Sequence, residues 1–252
     1  TRENSERIPL TLASWDKKEG SVTLIFQEVG FSTKELGVLN VGDKLKHIAG
    51  PLGKASSVKK YGKVAIVCGG VGSAAAYPIT KALKEEGNYV VTIFAARNKD
   101  LFVLEDEMRA YSDEFIVITD DGSKGIKAFP NEVLKSLIAK DYNFDIVYAI
   151  GPPIMMSVIT DVTKPLKITT FVSLNPIMVD GMGMCGACRV SIGGHTKFAC
   201  VDGPEFDAHQ VDFKELMQRL KSFANEEKLT AIPLLSMPQN QSSGENCKCH
   251  KP

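Results

Sequence analysis

Lys63-Val-Ala-Ile-Val-Cys68-Gly69-Gly70-Val71-Gly72-Ser73 is the stretch on which the fold turns. Val64 to Cys68 is an unbroken apolar run, the signature of a strand covered on both faces of a sheet. The glycines end the strand, and from about Ala74 to Glu86 the pattern turns helical. Strand, glycine turn and helix in that order open a βαβ unit. A helix start offers unpaired N–H groups and the positive end of a dipole, which suit a phosphate. The loop lacks the third glycine of Gly-x-Gly-x-x-Gly, because Ala75 stands there. On its own the loop is weak evidence, with a plain tight turn as the alternative reading.

Downstream the alternation continues. Strands are expected at Tyr89–Ala95, Phe115–Ile118, Asp145–Ile150 and Lys167–Ser173, with helices at Leu104–Tyr111 and Asn131–Lys140. Apolar strands separated by helices predict a doubly wound α/β domain with a parallel sheet. Ligands of such sheets bind at the carboxyl ends of the strands. Ala95-Ala96-Arg97, Thr119-Asp120-Asp121-Gly122 and Gly151-Pro152-Pro153 should therefore share a crevice with the glycine loop. This makes Gly69, Gly70, Gly72, Arg97, Asp120 and Gly151 candidate nucleotide contacts, although each segment alone also reads as an ordinary loop.

Upstream, residues 1–60 carry short β-like segments. Ser21–Gln27 and Lys44–Ile48 read as strands, and Ser32–Gly37 as a short helix capped by Ser32 or Thr33. These are too few to close a barrel. Arg7-Ile-Pro9-Leu10-Thr11 with Gly30-Phe-Ser32-Thr33 pairs a cation with a glycine–hydroxyl helix start, a combination suited to a second pyrophosphate. Arg7 taken alone reads more readily as a surface cation. Gly50-Pro51-Leu52-Gly53 reads as a hinge, and Trp15 and Cys68 as packing residues.

Beyond the sheet lies Asp180-Gly-Met-Gly-Met-Cys185-Gly-Ala-Cys188, closed by Cys200, an Asp-x4-Cys-x2-Cys-x11-Cys spacing. With a cysteine at its first position this would be the plant-type 2Fe–2S ligand pattern. Glycines 181, 183 and 186 let the backbone wrap and turn its N–H groups toward the sulfurs. A structural zinc held by three cysteines and an aspartate is an alternative. A thioredoxin-like redox pair is disfavoured because the stretch follows the expected sheet. Val211–Ala224 has helical apolar spacing and should pack the loop against the body. The tail is expected to be flexible, and its Cys247-Lys-Cys249-His250 reads as a solvated run rather than a site.

Bulk properties narrow the function. The 252 residues have zero formal net charge and no long basic run, which argues against nucleic acid as the main partner. No apolar run approaches the ~18 residues of a membrane span, and no signal-peptide pattern appears. Six cysteines, three of them in a ligand pattern, suit a reducing cytoplasmic setting.

The order of β-domain, nucleotide sheet and iron–sulfur loop resembles flavin-dependent ferredoxin reductases, and most closely the electron-transfer subunits of dihydroorotate dehydrogenase and their relatives. The resemblance runs to about residue 223. It is carried by Arg7–Thr11, Gly50–Gly53, Gly69–Gly72, Val179–Cys188 and Phe198-Ala-Cys-Val-Asp-Gly-Pro-Glu-Phe206. Asp180, where the dihydroorotate group has cysteine, is similar to the bifurcating branch, the small subunits of NADH-dependent reduced ferredoxin:NADP oxidoreductase or sulfide dehydrogenase. The resemblance implies a partial FAD-binding β-domain at 1–60, because strands expected ahead of Arg7 are missing. It also implies an NAD-binding α/β domain at 61–174, an iron–sulfur domain at 175–236 and a flexible tail at 237–252. FAD would contact Arg7, Pro9, Leu10, Thr11, Gly30, Ser32 and Thr33, with Thr11 the one catalytic candidate as a hydrogen-bond donor to the flavin. NAD(H) would bind Gly69, Gly70 and Gly72. A 2Fe–2S cluster would bind Asp180, Cys185, Cys188 and Cys200. The implied partner is a larger subunit carrying FAD and 4Fe–4S clusters that reacts with NADPH and ferredoxin. A sulfide, polysulfide or dihydroorotate complex is the alternative within this class, and a zinc-stabilised nucleotide module the alternative outside it.

Overall fold

A computed structural model describes residues 7–226, so the expected tail and Cys247–His250 lie outside the described residues. In chain order the strands are β1 (Leu12–Asp16), β2 (Ser21–Leu24), β3 (Lys63–Gly69), β4 (Tyr89–Ala96), β5 (Glu114–Thr119), β6 (Ile126–Lys127), β7 (Ile146–Ile150), β8 (Thr169–Ser173), β9 (Arg189–Ile192), β10 (His195–Phe198) and β11 (Glu205–Asp207). The helices are α1 (Phe31–Gly37), α2 (Gly72–Glu85), α3 (Glu105–Ala110), α4 (Pro130–Ala139), α5 (Pro153–Thr163), α6 (Ala199–Asp202) and α7 (Phe213–Leu220).

Seven strands form the main sheet in the order β11-β8-β7-β3-β4-β5-β6. All neighbours are parallel except β11, which runs antiparallel to β8. The sheet is thus mixed rather than purely parallel, and it is completed by a strand that follows the cysteine loop. From β3 the chain builds outward first through β4 and β5, then on the other side through β7 and β8. The switch point lies between β3 and β7.

Alternate residues of the central strands feed two cores. Ala65, Val67, Val91, Ile93 and Val147 face α4 and α5, where they meet Leu134, Met156 and Ile159. Val64, Ile66, Cys68, Val90, Phe94 and Tyr148 face the other side, with Ile79 and Leu83 of α2 and Met108 of α3. Cys68 is fully buried, as a packing residue should be. Helix α5 is an addition to the expected elements. Pro153 at its first position, where a missing N–H is harmless, marks a helix start rather than a loop.

The amino-terminal region departs most from expectation. Ser21–Leu24 pairs with Leu12–Asp16, but Lys44–Ile48 is not a strand. Val41, Leu45 and Ile48 are exposed, so no neighbour among the described residues offers the burial that would favour an extended strand. Trp15 is 56% exposed and is not a packing residue. The N-cap of α1 is Gly30 rather than Ser32 or Thr33. Ala13 is the buried residue of β1, on the strand that packs against α2.

Asp113 ties three elements at the opposite end of the sheet. Its carboxylate accepts from Val90 N at 2.8 Å and Lys84 Nζ at 2.6 Å. Partial burial pushes its pKa up, but the Lys84 ammonium and the Val90 N–H outweigh this and hold it below the usual carboxylate value. A depressed folded-state pKa contributes stability above the unfolded pKa and loses it as pH falls through the folded one. Asp113→Ala is expected to cost about 1 kcal/mol at neutral pH. In denaturant titrations at a series of pH values, its gap to the parent should close below the ordinary carboxylate range.

Candidate functional site

The register of the central strands brings the predicted crevice residues to one edge. Cys68 lies opposite Ile150, Gly69 opposite Ala95, and Ala96 opposite Thr119. The glycine loop, Arg97, Asp120 and Gly151 therefore follow adjacent strand ends, with Arg97 and Asp120 exposed. Gly70 has φ +57° and open space where a side chain would stand. Its N–H donates to Ala95 O at 3.0 Å, which anchors the turn to β4. Gly72 does different work: a Cβ there would lie 2.7 Å from Ile150 O, so glycine lets α2 start against the end of β7. Ser73, absent from the sequence-predicted candidates, donates to Gly70 O at 2.9 Å and to Val103 O at 3.1 Å, locking the loop from beneath.

The amino-terminal candidates are anchored separately. Arg7 to Thr11 lead directly into β1 and so reach the nucleotide half through its packing on α2. Thr33 Oγ1 accepts from Val29 N at 3.1 Å and Gly30 N at 3.0 Å, and donates to Gly30 O at 3.1 Å. Its hydroxyl is thus engaged in shaping the start of α1. At Gly30 nothing lies within 4 Å of where a Cβ would stand, which leaves its backbone open to approach.

In the cysteine loop the structure brings Cys188 and Cys200 together, with their sulfurs 3.2 Å apart and both side chains buried. Cys185 is exposed, at the rim. Gly181, Gly183 and Gly186 take φ +74°, +83° and +67°, a left-handed backbone that glycine adopts without strain. These turns aim N–H groups at sulfur: Ala187 N lies 3.4 Å from Cys185 Sγ, and the Gly183 N–H reaches Cys200. Burial, then the neighbouring Cys188 sulfur, push the Cys200 thiol up to about 11.

Asp180 stands at the base of the loop. Its Oδ1 accepts from Met182 N at 3.0 Å, and its Oδ2 from Met184 N and Cys185 N, each at 2.9 Å. These N–H groups, Met182 foremost, hold the carboxyl below its usual pKa. A carboxylate has about four lone-pair sites, so three such bonds leave it able to accept a metal as well. Among the described residues, no three His, Cys, Asp or Glu side chains converge as they would around one metal ion. The donors instead divide into a buried cysteine pair and a rim pair of Asp180 with Cys185, a division that suits two adjacent irons with two protein ligands each.

Gly50–Gly53 is not a free hinge. Lys54 N donates to Gly203 O at 2.7 Å, Ser56 Oγ to Glu205 Oε1 at 2.5 Å, and Tyr148 Oη to Ser57 O at 2.9 Å. These bonds fasten the segment to both β7 and the chain that follows Cys200. Burial raises the pKa of Glu205, with the Ser56 hydroxyl acting in opposition. Arg219 of α7 is a further residue at the site that spacing does not reveal, because one cation on an amphipathic helix carries no distinguishing pattern. It donates to Ala187 O at 3.0 Å.

The chain is similar to known proteins. Residues 175–212 match the family described as the iron–sulfur cluster binding domain of dihydroorotate dehydrogenase B. A Thermotoga maritima homolog of the dihydroorotate dehydrogenase B (NAD(+)) electron transfer subunit is 46% identical over 228 residues, covering 90% of this chain and 80% of the relative. A probable subunit of the same kind from Pyrococcus furiosus is 38% identical, covering 82% and 76%. Among solved structures, a chain of NADH-dependent reduced ferredoxin-NADP oxidoreductase, studied for flavin-based electron bifurcation, superposes with a TM-score of 0.85. It is 45% identical and covers 91% of this chain and 82% of its own length.

Gly72 at the crevice and Gly30 at the start of α1 make a direct test. Gly72→Ala should cost about 1–3 kcal/mol by forcing α2 off β7. Gly30→Ala, with φ −122° and open space, should cost less than about 1 kcal/mol in the same denaturant titration.

Proposed function

The chain belongs to the family of dihydroorotate dehydrogenase B electron transfer subunits and their homologs, and from that premise we propose that it passes electrons between NAD(H), FAD and a 2Fe–2S cluster within a multi-subunit oxidoreductase. The observation that carries this reading is the glycine-turned loop. It seats Cys188 and Cys200 in contact and turns an N–H toward Cys185, within the segment that matches the iron–sulfur family.

Asp180, Cys185, Cys188 and Cys200 are the proposed cluster ligands. Gly69, Gly70 and Gly72 hold NAD(H), with Arg97, Asp120 and Gly151 along the same edge. Arg7, Pro9, Leu10, Thr11, Gly30, Ser32 and Thr33 hold FAD, and Thr11 donates a hydrogen bond to it. When bound, the flavin supplies the conversion between a two-electron hydride and single electrons for the cluster, which a nicotinamide cannot perform. The chain's own contribution is positional. The open backbone at Gly70 admits a phosphate, the start of α2 directs N–H groups at it, and Ser73 keeps the loop from collapsing. The buried Cys188–Cys200 side excludes water, while exposed Cys185, with Met184 84% exposed beside it, forms the rim. Residues 1–60, 61–174 and 175–236 then serve as FAD, NAD and cluster units, with β11 of the last completing the sheet of the second.

Within the family we place the chain in the bifurcating branch, with a larger subunit bearing FAD and 4Fe–4S clusters as partner, linking NADH, NADPH and ferredoxin. The 45% identity and 0.85 TM-score to the ferredoxin-NADP oxidoreductase chain support this, as does Asp180 at the first ligand position. The names of the relatives favour a dihydroorotate complex as the second reading.

Metal, sulfide and flavin analysis of the purified full chain tests the proposal, with two irons, two sulfides and one FAD per chain expected. One zinc and no iron would overturn it in favour of a zinc-stabilised module. Asp180→Cys should keep both irons and change the midpoint potential of the cluster. An unchanged potential would remove Asp180 from the ligand set and leave it only its bonds to the loop.

A further inference from the structure

Two arginines close on consecutive carbonyls of the turn between Cys185 and Cys188. Arg219, in the last turn of α7, donates from Nη2 to Ala187 O at 3.0 Å. Arg189, the residue after Cys188, donates from Nη1 to Gly186 O at 3.2 Å, and its backbone N–H reaches the same oxygen at 3.4 Å. The opposite side of the Gly186–Ala187 peptide is the Ala187 N–H, which points at Cys185 Sγ. A carbonyl that accepts from a cation polarises its peptide, so Arg189 makes the Ala187 N–H a stronger donor, while Arg219 acts on the next peptide, Ala187–Cys188.

The two arginines are not equivalent. Arg219 is half-buried, on a helix fixed by Phe213 and Leu216 in the same core that contains Cys188 and Cys200. Asp212 caps that helix by accepting from Glu215 N at 2.9 Å. The Arg219 cation is therefore held in place and only partly screened by solvent. Arg189 is exposed and more fully screened.

We propose that Arg219, on the Ala187 carbonyl, is a positioning residue that holds the turn between Cys185 and Cys188 and raises the reduction potential of the cluster held there, seconded by Arg189 on the peptide whose N–H meets Cys185 Sγ. This rests on the cluster assignment above. Reduction adds one electron to the site, and a fixed cation stabilises the added negative charge. Removing the charge therefore weakens the affinity of the site for that electron. A residue that merely fastened α7 to the loop would be replaceable by a neutral donor with no change in potential.

The test is a redox titration of the anaerobically purified full chain, following the paramagnetic signal of the reduced cluster so that the flavin does not interfere, with iron content measured alongside. Arg219→Lys, which keeps the charge, should titrate close to the parent. Arg219→Gln should weaken electron affinity by about tenfold, which is about 59 mV for one electron. Arg189→Gln should shift in the same direction by less. An iron-replete Arg219→Gln protein with the parent potential would overturn the proposal, as would Arg219→Lys shifting as far as Arg219→Gln. Should Arg219→Gln lose its iron, Arg189→Gln decides: a lowered potential supports the proposal and an unchanged one overturns it. A parent protein without iron is a distinct result, which defeats the cluster assignment itself.

Discussion

The crevice at the strand ends depends on β3 being paired in parallel on both sides. With β4 on one edge and β7 on the other, the chain must leave the same strand ends in opposite directions, and the gap between those departures is the crevice. The gap stays narrow because Gly72 lets α2 begin almost against the Ile150 carbonyl. A larger residue would separate helix from strand and move the loop that Gly70 opens. Burial enforces the arrangement: β3 is covered on both faces, so a one-residue slip would exchange its two core-facing sets.

The same sheet also fixes the cysteine loop. Chain that has passed through Cys200 returns as β11 and pairs with β8, and Leu174 N donates to Pro204 O at 2.9 Å just beyond that pairing. Cys188 and Cys200 share a core with Met156 and Ile159 of α5 and with Phe213 and Leu216 of α7. The segment around Lys54 and Ser56 spans from this region back toward the amino-terminal strands. Crevice, connecting segment and cysteine loop are thus parts of one packed body, the arrangement that short-range electron transfer between bound groups requires.

The sheet is legible in the sequence because its strands are buried on both faces and read as unbroken apolar runs. The crevice follows from where those runs end. Residues 1–60 are legible only in part, since β-branched composition signals a strand only where a partner exists, and Leu45 and Ile48 stand exposed with no strand partner among the described residues. Strands β9 and β10 escape such a reading because a short hairpin whose second strand, His195–Phe198, is mostly exposed carries little apolar alternation. The cysteine spacing points to the loop, and its glycines correctly signal left-handed turns. That spacing is silent on Arg219, which acts across 32 residues of sequence through one carbonyl.

A single chain that carries electrons from a nicotinamide at the glycine loop to a cluster at the cysteines must show both ends of the path in one sample. Anaerobic addition of NADH to the purified full chain, with the visible spectrum and the paramagnetic signal of the cluster recorded together, reads both. The flavin bands should bleach and the reduced-cluster signal should grow in the same experiment. A flavin that bleaches beside a cluster that stays oxidised, or a protein with no visible bands at all, would contradict that path.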